Sequence, residues 1–351
     1  MAADEPPGAW CPLPYADGER VQLAHGGGGR LGLDLIERLF RPAFANPWLD
    51  AAHDGAVLDL GQARVAFTTD SYVVRPLFFP GGDIGTLAVH GTVNDLAMCG
   101  ARPCHLSAGF ILEEGFPLAD LEAVLSSMRE AARRAGVTLV TGDTKVVERG
   151  RGDGLYVNTA GVGLVEHGLT IAPAAVQAGD VLIVSGDLGR HGIAVMAARE
   201  GLDFAPPVRS DCAPLADAVG ALLAHDLPLH CLRDLTRGGL AAALVEIARA
   251  AGCALHVERS AVPVADNVAG ACELLGLDPL FVANEGRMLV VVPEDAANAA
   301  LACLHGCEVA AGAVRVGRVS SGPAGQVTIA SEIGTVRRLE LPSGDQLPRI
   351  C

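Results

Sequence analysis

Of the 26 lysine and arginine residues in the chain, one is a lysine. It is Lys145, in Thr141-Gly142-Asp143-Thr144-Lys145. Arginine is a wide planar fork that stays protonated, whereas lysine is a compact point charge able to give up its proton. A chain that writes every other cation as arginine has therefore kept an amine at this position. Four aspartates, Asp54, Asp70, Asp95 and Asp143, stand beside strand-like or loop-like runs. Carboxylates spread along a chain and gathered by its fold suit Mg²⁺, a hard cation that commonly joins one or two acids to substrate phosphates. Taken singly, each is as well explained as a turn residue. Gly26, Gly27, Gly28 and Gly29 form a run whose backbone N–H groups can approach phosphate oxygens closely, or which can serve as a flexible joint. No Gly-Lys-Ser/Thr ending of a P-loop is present, so any nucleotide is held by another scheme.

The elements that must carry these residues are those of an α/β chain. Strand-like runs cover residues 56–60, 65–69, 137–140, 155–164 and 180–185, and an apolar strand follows Glu285 as far as Val292. The run at 137–140 leads into a Gly-Asp turn before Lys145, where α/β folds place chemistry. Residues 118–135 read as an amphipathic helix with Leu118, Leu121, Val124, Leu125 and Met128 on one face and Gly136 as its stop. Arg233-Asp234-Leu235-Thr236-Arg237-Gly238-Gly239 introduces another helix, with Asp234 or Thr236 as its cap.

With 351 residues, half of them apolar, the chain can bury a large core and divides into about two domains. A net charge of −15 argues against a nucleic-acid surface. The acidic, proline-rich start predicts no signal peptide and no run is long enough to span a bilayer, so no membrane is expected and the location is read as cytoplasmic. The ten cysteines are scattered. Cys303 and Cys307 flank His305, a spacing that offers zinc ligands, although buried thiols in a reduced compartment are the simpler reading. Cys351 is the final residue, and no prenylation box is formed there.

Longer stretches carry a family resemblance: FTTDSYVV (67–74), PLFFPGGDIGTLAVHGTVNDLAMCGARP (76–103), LSAGFILEEGFPL (106–118), TGDTKVVERG (141–150), RDLTRGGL (233–240), ANEGRM (283–288) and the terminal PRIC. From about Val21 to Cys351 the sequence resembles the HypE family of hydrogenase maturation proteins. It departs at Arg190, where the family usually has Asp, and at His53-Asp54, where paired acids are usual. The resemblance implies the two-domain α/β (α+β) PurM-like fold of aminoimidazole ribonucleotide synthetase and selenophosphate synthetase. On this reading residues 1–20 are an arm, 21–175 an ATP-binding domain contributing to a dimer-wide β barrel, 176–338 a second α/β domain, and 339–351 a mobile tail.

The resemblance also implies roles. Asp54, Asp70, Asp95 and Asp143 become Mg²⁺ ligands; Gly26 to Gly29, Asp83, Asn94 and Asp234 become ATP contacts; Lys145, Glu285 and Cys351 become catalytic. The implied reaction is ATP-dependent dehydration of a carbamoyl group on Cys351 to a thiocyanate, by a homodimer that receives the carbamoyl group from HypF and passes cyanide to iron on a HypC–HypD complex. Another ATP-dependent enzyme of the same fold, or a scaffold that only docks partners, remains an alternative at this stage.

Overall fold

The computed structural model describes residues 20–331, 333–342, 344, 347 and 349–351. The expected N-terminal arm, but for its last residue, lies outside them. β-branched and aromatic alternation at 56–72 forms β1 (Ala56–Leu60) and β2 (Ala63–Tyr72), joined by a two-residue turn in which Gly61 adopts φ +69°. With β3 (Arg102–Glu113), β4 (Thr138–Val147) and β5 (Leu155–Leu164) they build a sheet of order β1-β2-β5-β3-β4. One face, through Tyr72, Leu106, Ala108, Leu155 and Val157, packs into a core with α1 (Ile84–Met98) and α2 (Leu118–Arg134). α1 is buried almost all round, which suits its lack of a polar stripe. In α2, Val124 and Met128 are buried, but Leu118 and Leu125 are exposed, so the apolar face is narrower than its spacing suggests.

The expected barrel is absent: among the described residues no sheet closes. β1 and β4 are edges with one strand partner each, and five strands of one chain offer no partner to join them. The sheet's other face is open. β4 is exposed at nine of its ten residues, among them Leu139, Val140 and Val146.

The second half forms a seven-stranded sheet. Its strands are β6 (Asp180–Val184), β7 (Cys231–Asp234), β8 (Ala254–Glu258), β9 (Met288–Pro293), β10 (Val314–Ser320), β11 (Val327–Ala330) and β12 (Val336–Arg338), in the order β12-β11-β8-β10-β6-β9-β7. β6 and β9 are buried nearly throughout, as continuous Val/Ile/Leu runs in the middle of a covered sheet should be. α3 (Arg190–Glu200) and α5 (Gly239–Ala251), with α4 (Ala216–Ala224) between them in sequence, flank this half. Asp234 and Thr236 do not cap α5: Asp234 ends β7, and the helix is entered through Gly238 and Gly239 at φ +77° and +58°, a turn that other residues rarely make.

The two halves share a core. Ile84, Leu87 and Val89 of α1 lie in one cluster with Ile193 of α3, Val282 and the tail residues Leu347 and Ile350. Asn94, also on α1, accepts from Leu215 N at 2.8 Å and donates to the carbonyls of Ala213 and Glu285 at 3.1 and 3.3 Å. Both N–H donors are thus spent on joining the halves and holding the Glu285 loop, and one lone pair of Oδ1 is left over.

Candidate functional site

The acid at the end of β7, Asp234, faces Asp95 from α1 and Asp54 from the loop before β1. One carboxylate oxygen from each lies within 4.8 Å of the others, the one such convergence of three possible metal ligands among the described residues. Cys303 and His305 are not drawn together: Cys303 Sγ sits 3.7 Å from His225 Nδ1, and His305 Nε2 is turned to Ala313 O at 2.7 Å. Around the acids is a cavity of about 180 Å³, lined also by Asp70, Tyr72, Gly91, Arg233, Thr236, Arg237, Glu285 and Cys351. A typical small-molecule pocket has roughly 300–1,000 Å³, so this one takes the reacting end of a ligand rather than a whole nucleotide. A larger cleft of about 840 Å³, along residues 100–103, 166–169 and 216–226, contains neither the acids nor Cys351.

The electrostatics of the cavity are those of crowded, dehydrated carboxylates. Burial, then the neighbouring acids, raises Asp95 well above the ordinary carboxylate range. Asp54 is raised too, because burial and Asp234 outweigh Arg233, whose Nε sits 2.9 Å from Asp54 Oδ1. Burial pushes Asp234 up to about 7 against the pull of Arg233. Arg233 also bonds Glu246 at 2.5 Å, so it is the resident counter-charge of the site. His53, whose Nδ1 accepts from Asp54 N at 2.9 Å, is held down at about 4 by burial and Arg233 and stays neutral. Glu285 is raised chiefly by burial and then by Asp234, Asp211 and Asp70. Its Oε1, like Asp54 Oδ2, is buried without a hydrogen-bond partner. The loop is fixed by Gly286, where a Cβ would lie 2.0 Å from Asp211 O.

The tail reaches this cavity. Leu341, Leu347 and Ile350 are buried, Val73 N donates to Cys351 O at 3.1 Å, and Cys351 is part of the cavity wall. The glycine run is pressed between two backbones. A Cβ on Gly28 would stand 2.5 Å from Arg237 O and one on Gly29 2.9 Å from Gly344 O, while Arg237 Nη1 donates to Gly26 O at 3.0 Å. Close approach to this chain's own loop is what these two glycines serve.

Three more expected site residues are placed elsewhere. Asp83 caps α1, accepting from Thr86 N at 2.8 Å and from Ser127 Oγ at 2.6 Å. It ties α1 to α2 and does not line the cavity. Asp143 and Lys145 are not on a turn but inside β4, paired to each other at 2.5 Å and about two-thirds exposed. Asp143 is in register with Gly109, Gly109 with Asn158, and Asn158 with Ser71. Three strand spacings, about 14 Å, therefore separate Asp143 from the end of β2, and both side chains sit on the open face. Sequence reasoning missed Arg233, Arg237 and Thr236, although all belong to the RDLTRGG stretch that it singled out as a helix entry.

The described helices include none long and apolar enough to cross a membrane. Residues 52–165 and 177–330 match the N-terminal and C-terminal domain models of AIR synthase related proteins. The chain is 49% identical to the carbamoyl dehydratase HypE of Azotobacter vinelandii, over 94% of this chain and 97% of that one. It is similar to a crystal structure of the hydrogenase maturation protein HypE in complex with ATP (47% identity, TM-score 0.80, covering 95% of this chain and 100% of that one). It is similar also to a HypE chain from a HypE–HypF complex (44%, 0.83, covering 88% and 99%). With near-complete coverage at this identity, and with a terminal cysteine set among buried acids, the chain belongs to the HypE family of carbamoyl dehydratases, within the AIR synthase related proteins.

Proposed function

We propose that the Cys351 thiol carries a carbamoyl group into the acid cavity, where ATP-dependent dehydration turns it into a thiocyanate for hydrogenase maturation. The observation that carries this reading is the position of Cys351 on the same cavity wall as Asp54, Asp70, Asp95, Asp234 and Glu285. ATP as phosphoryl donor is supported by the relative crystallised with it. The carbamoyl oxygen attacks the γ-phosphorus, ADP leaves, and loss of one N–H proton gives an O-phosphorylated imidate on sulfur. Loss of the second N–H proton with departure of phosphate leaves S–C≡N. Glu285, on the cavity wall with its Oε1 unpartnered, is the base that takes those protons.

A divalent cation fits the acids, given three converging oxygens and the unpartnered Asp54 Oδ2. Asp54, Asp95 and Asp234 would hold Mg²⁺ with Asp70 beside them, and the ion supplies charge neutralisation at the triphosphate. Raised carboxyl pKa values have a stability consequence. The folded state keeps protons that the unfolded chain has lost, so this stabilising contribution is full below the unfolded value near 4 and is lost as pH rises through the folded values. The metal-free thermal midpoint is therefore expected to fall between about pH 5.5 and about pH 8, with Mg²⁺ raising it more at the upper end because protons no longer compete for the acids. Asp95→Asn should flatten both trends; a Mg²⁺ shift independent of pH would count against this ligand set.

The exposed β4 edge and the uncovered apolar residues beside it support a homodimer formed over the open face. In such a dimer a second copy brings its Asp143 and Lys145 to the cavity, where the amine stabilises the oxyphosphate charge. HypF is the carbamoyl donor, in keeping with the complex formed by a relative, and iron on a HypC–HypD complex is the cyanide acceptor. Reaching such partners requires the tail to swing out, and ten extended residues span up to about 35 Å. ATP consumption that depends on the carbamoyl donor tests the enzymatic reading. A scaffold would consume none.

A further inference from the structure

The end of the tail is held by its backbone oxygens, that of Cys351 belonging to the chain's final carboxylate. Arg75 N donates to Arg349 O at 3.2 Å and Val73 N to Cys351 O at 3.1 Å, a two-residue spacing that extends β2 with one more strand-like pairing. Arg199 Nη2 adds a second donor to Arg349 O at 2.7 Å. The carbonyl between them, Ile350 O, turns the other way, as alternation demands. There it meets His191 Nε2 at 2.8 Å.

His191 sits in the first turn of α3 and is wholly buried. Its Nδ1 lies 2.9 Å from Ser210 Oγ, and that oxygen also accepts from Cys212 N at 3.1 Å. A carbonyl oxygen only accepts, so Nε2 carries the ring proton and Nδ1 takes the serine hydroxyl proton. One tautomer completes the network. Burial holds the imidazole below its ordinary pKa, which keeps it neutral, and the Phe79 ring fixes its plane edge-on at 5.3 Å. None of the steps above employs this ring, and it does not line the acid cavity.

We propose that His191 is a positioning residue for the dehydration: it grips the last peptide carbonyl before Cys351 and so sets how long the thiol stays at the acid cavity. When the tail withdraws, the Nε2–H loses this acceptor, a penalty that falls on the outward state alone. The inference rests on Cys351 being the carrier, but its test reads the tail directly.

The test measures alkylation of Cys351 by iodoacetamide in the intact protein, followed on the C-terminal peptide by mass spectrometry. His191→Phe keeps a ring and removes the donor, and should raise the Cys351 alkylation rate about tenfold, the scale of one buried hydrogen bond. His191→Gln, which restores an N–H donor, should recover most of the protection. Protein loaded with carbamoyl beforehand should convert to thiocyanate more slowly in single turnover for His191→Phe, with loading by HypF not slowed. Should His191→Phe fail to fold, Ser210→Ala removes the hydroxyl that fixes the tautomer, together with its bond from Cys212 N, and should give the same change at smaller amplitude. Unchanged alkylation in the folded variant, or equal loss of protection in His191→Gln, overturns the proposal. Cyanation of another cysteine would instead remove the carrier reading and leave the alkylation result standing.

Discussion

Cys351→Ala will take up no carbamoyl group and yield no thiocyanate, while its ATP binding persists. Intact-protein mass spectra taken with HypF, carbamoyl phosphate and ATP should show the carbamoyl adduct and then the cyano adduct on the wild-type chain, and neither on the variant. The loss should reach the floor of the assay because no described cysteine can replace this one. Cys99, Cys231 and Cys272 are buried, and Cys104, Cys253, Cys303 and Cys307 lie away from the acid cavity. Cys212 is the nearest rival, two residues from Ser210 and close to Glu285. Burial and then the charges of Glu285 and Asp211 push its thiol well above the ordinary value, so it stays protonated and is a poor nucleophile. The substitution removes only a sulfur, and the acids and their counter-charge Arg233 are held by other elements, which is why ATP binding should survive. A cyanated Cys351→Ala protein would move the carrier to another thiol and end this mechanism.

The sequence was informative where one residue type has one physical meaning. Alternating β-branched runs placed β1, β5 and the middle of β2, and a continuous Val/Leu run placed β9. Glycines were harder because they serve several ends. Gly142 reads as the start of a turn, yet it lies inside β4, where a Cβ would stand 2.4 Å from Ala108 O, next to the register shift in β3 at Leu106 and Ser107. It marks a close approach at a bulge, not the end of a strand. In the same way Gly238 and Gly239, not a side-chain cap, make the entry to α5. The site was half legible. Asp54, Asp95 and Asp234 converge, but the role of Arg233 depends on Asp54, a residue from the other half of the chain that local pattern cannot pair with it. Asp83 and Asn94 belong to conspicuous motifs, and both bond between elements of this chain, Asp83 to Ser127 and Asn94 to the segments at 213–215 and 285. The resemblance named a barrel that one chain cannot build, since a free strand edge announces only that something is missing.

Lys145 and Asp143 are the remaining disagreement between motif and geometry, and mixing inactive chains resolves it. Lys145→Ala and Cys351→Ala should each be inactive as pure proteins. If the amine acts on the cavity of the second copy, a mixed dimer has one complete site: the Lys145→Ala chain provides Cys351 and the acids, and the Cys351→Ala chain provides Lys145. Random exchange of equal amounts should then restore about a quarter of wild-type conversion, since half of the dimers are mixed and each carries one working site of two. If Lys145 acts within its own chain, every site lacks either the amine or the thiol and no activity returns. The position of Lys145, three strands across the sheet on its open face, favours the first outcome. Lys145→Arg should complement no better than Lys145→Ala when each is mixed with Lys145-intact, thiol-free chains in which the acids are also lost through Asp95→Asn. As a pure protein Lys145→Arg should be nearly as impaired as Lys145→Ala, because the planar guanidinium is bulkier and cannot vary its protonation as an amine does. Full dehydration by Lys145→Arg would show that positive charge alone suffices, and the single lysine of the chain would lose its explanation.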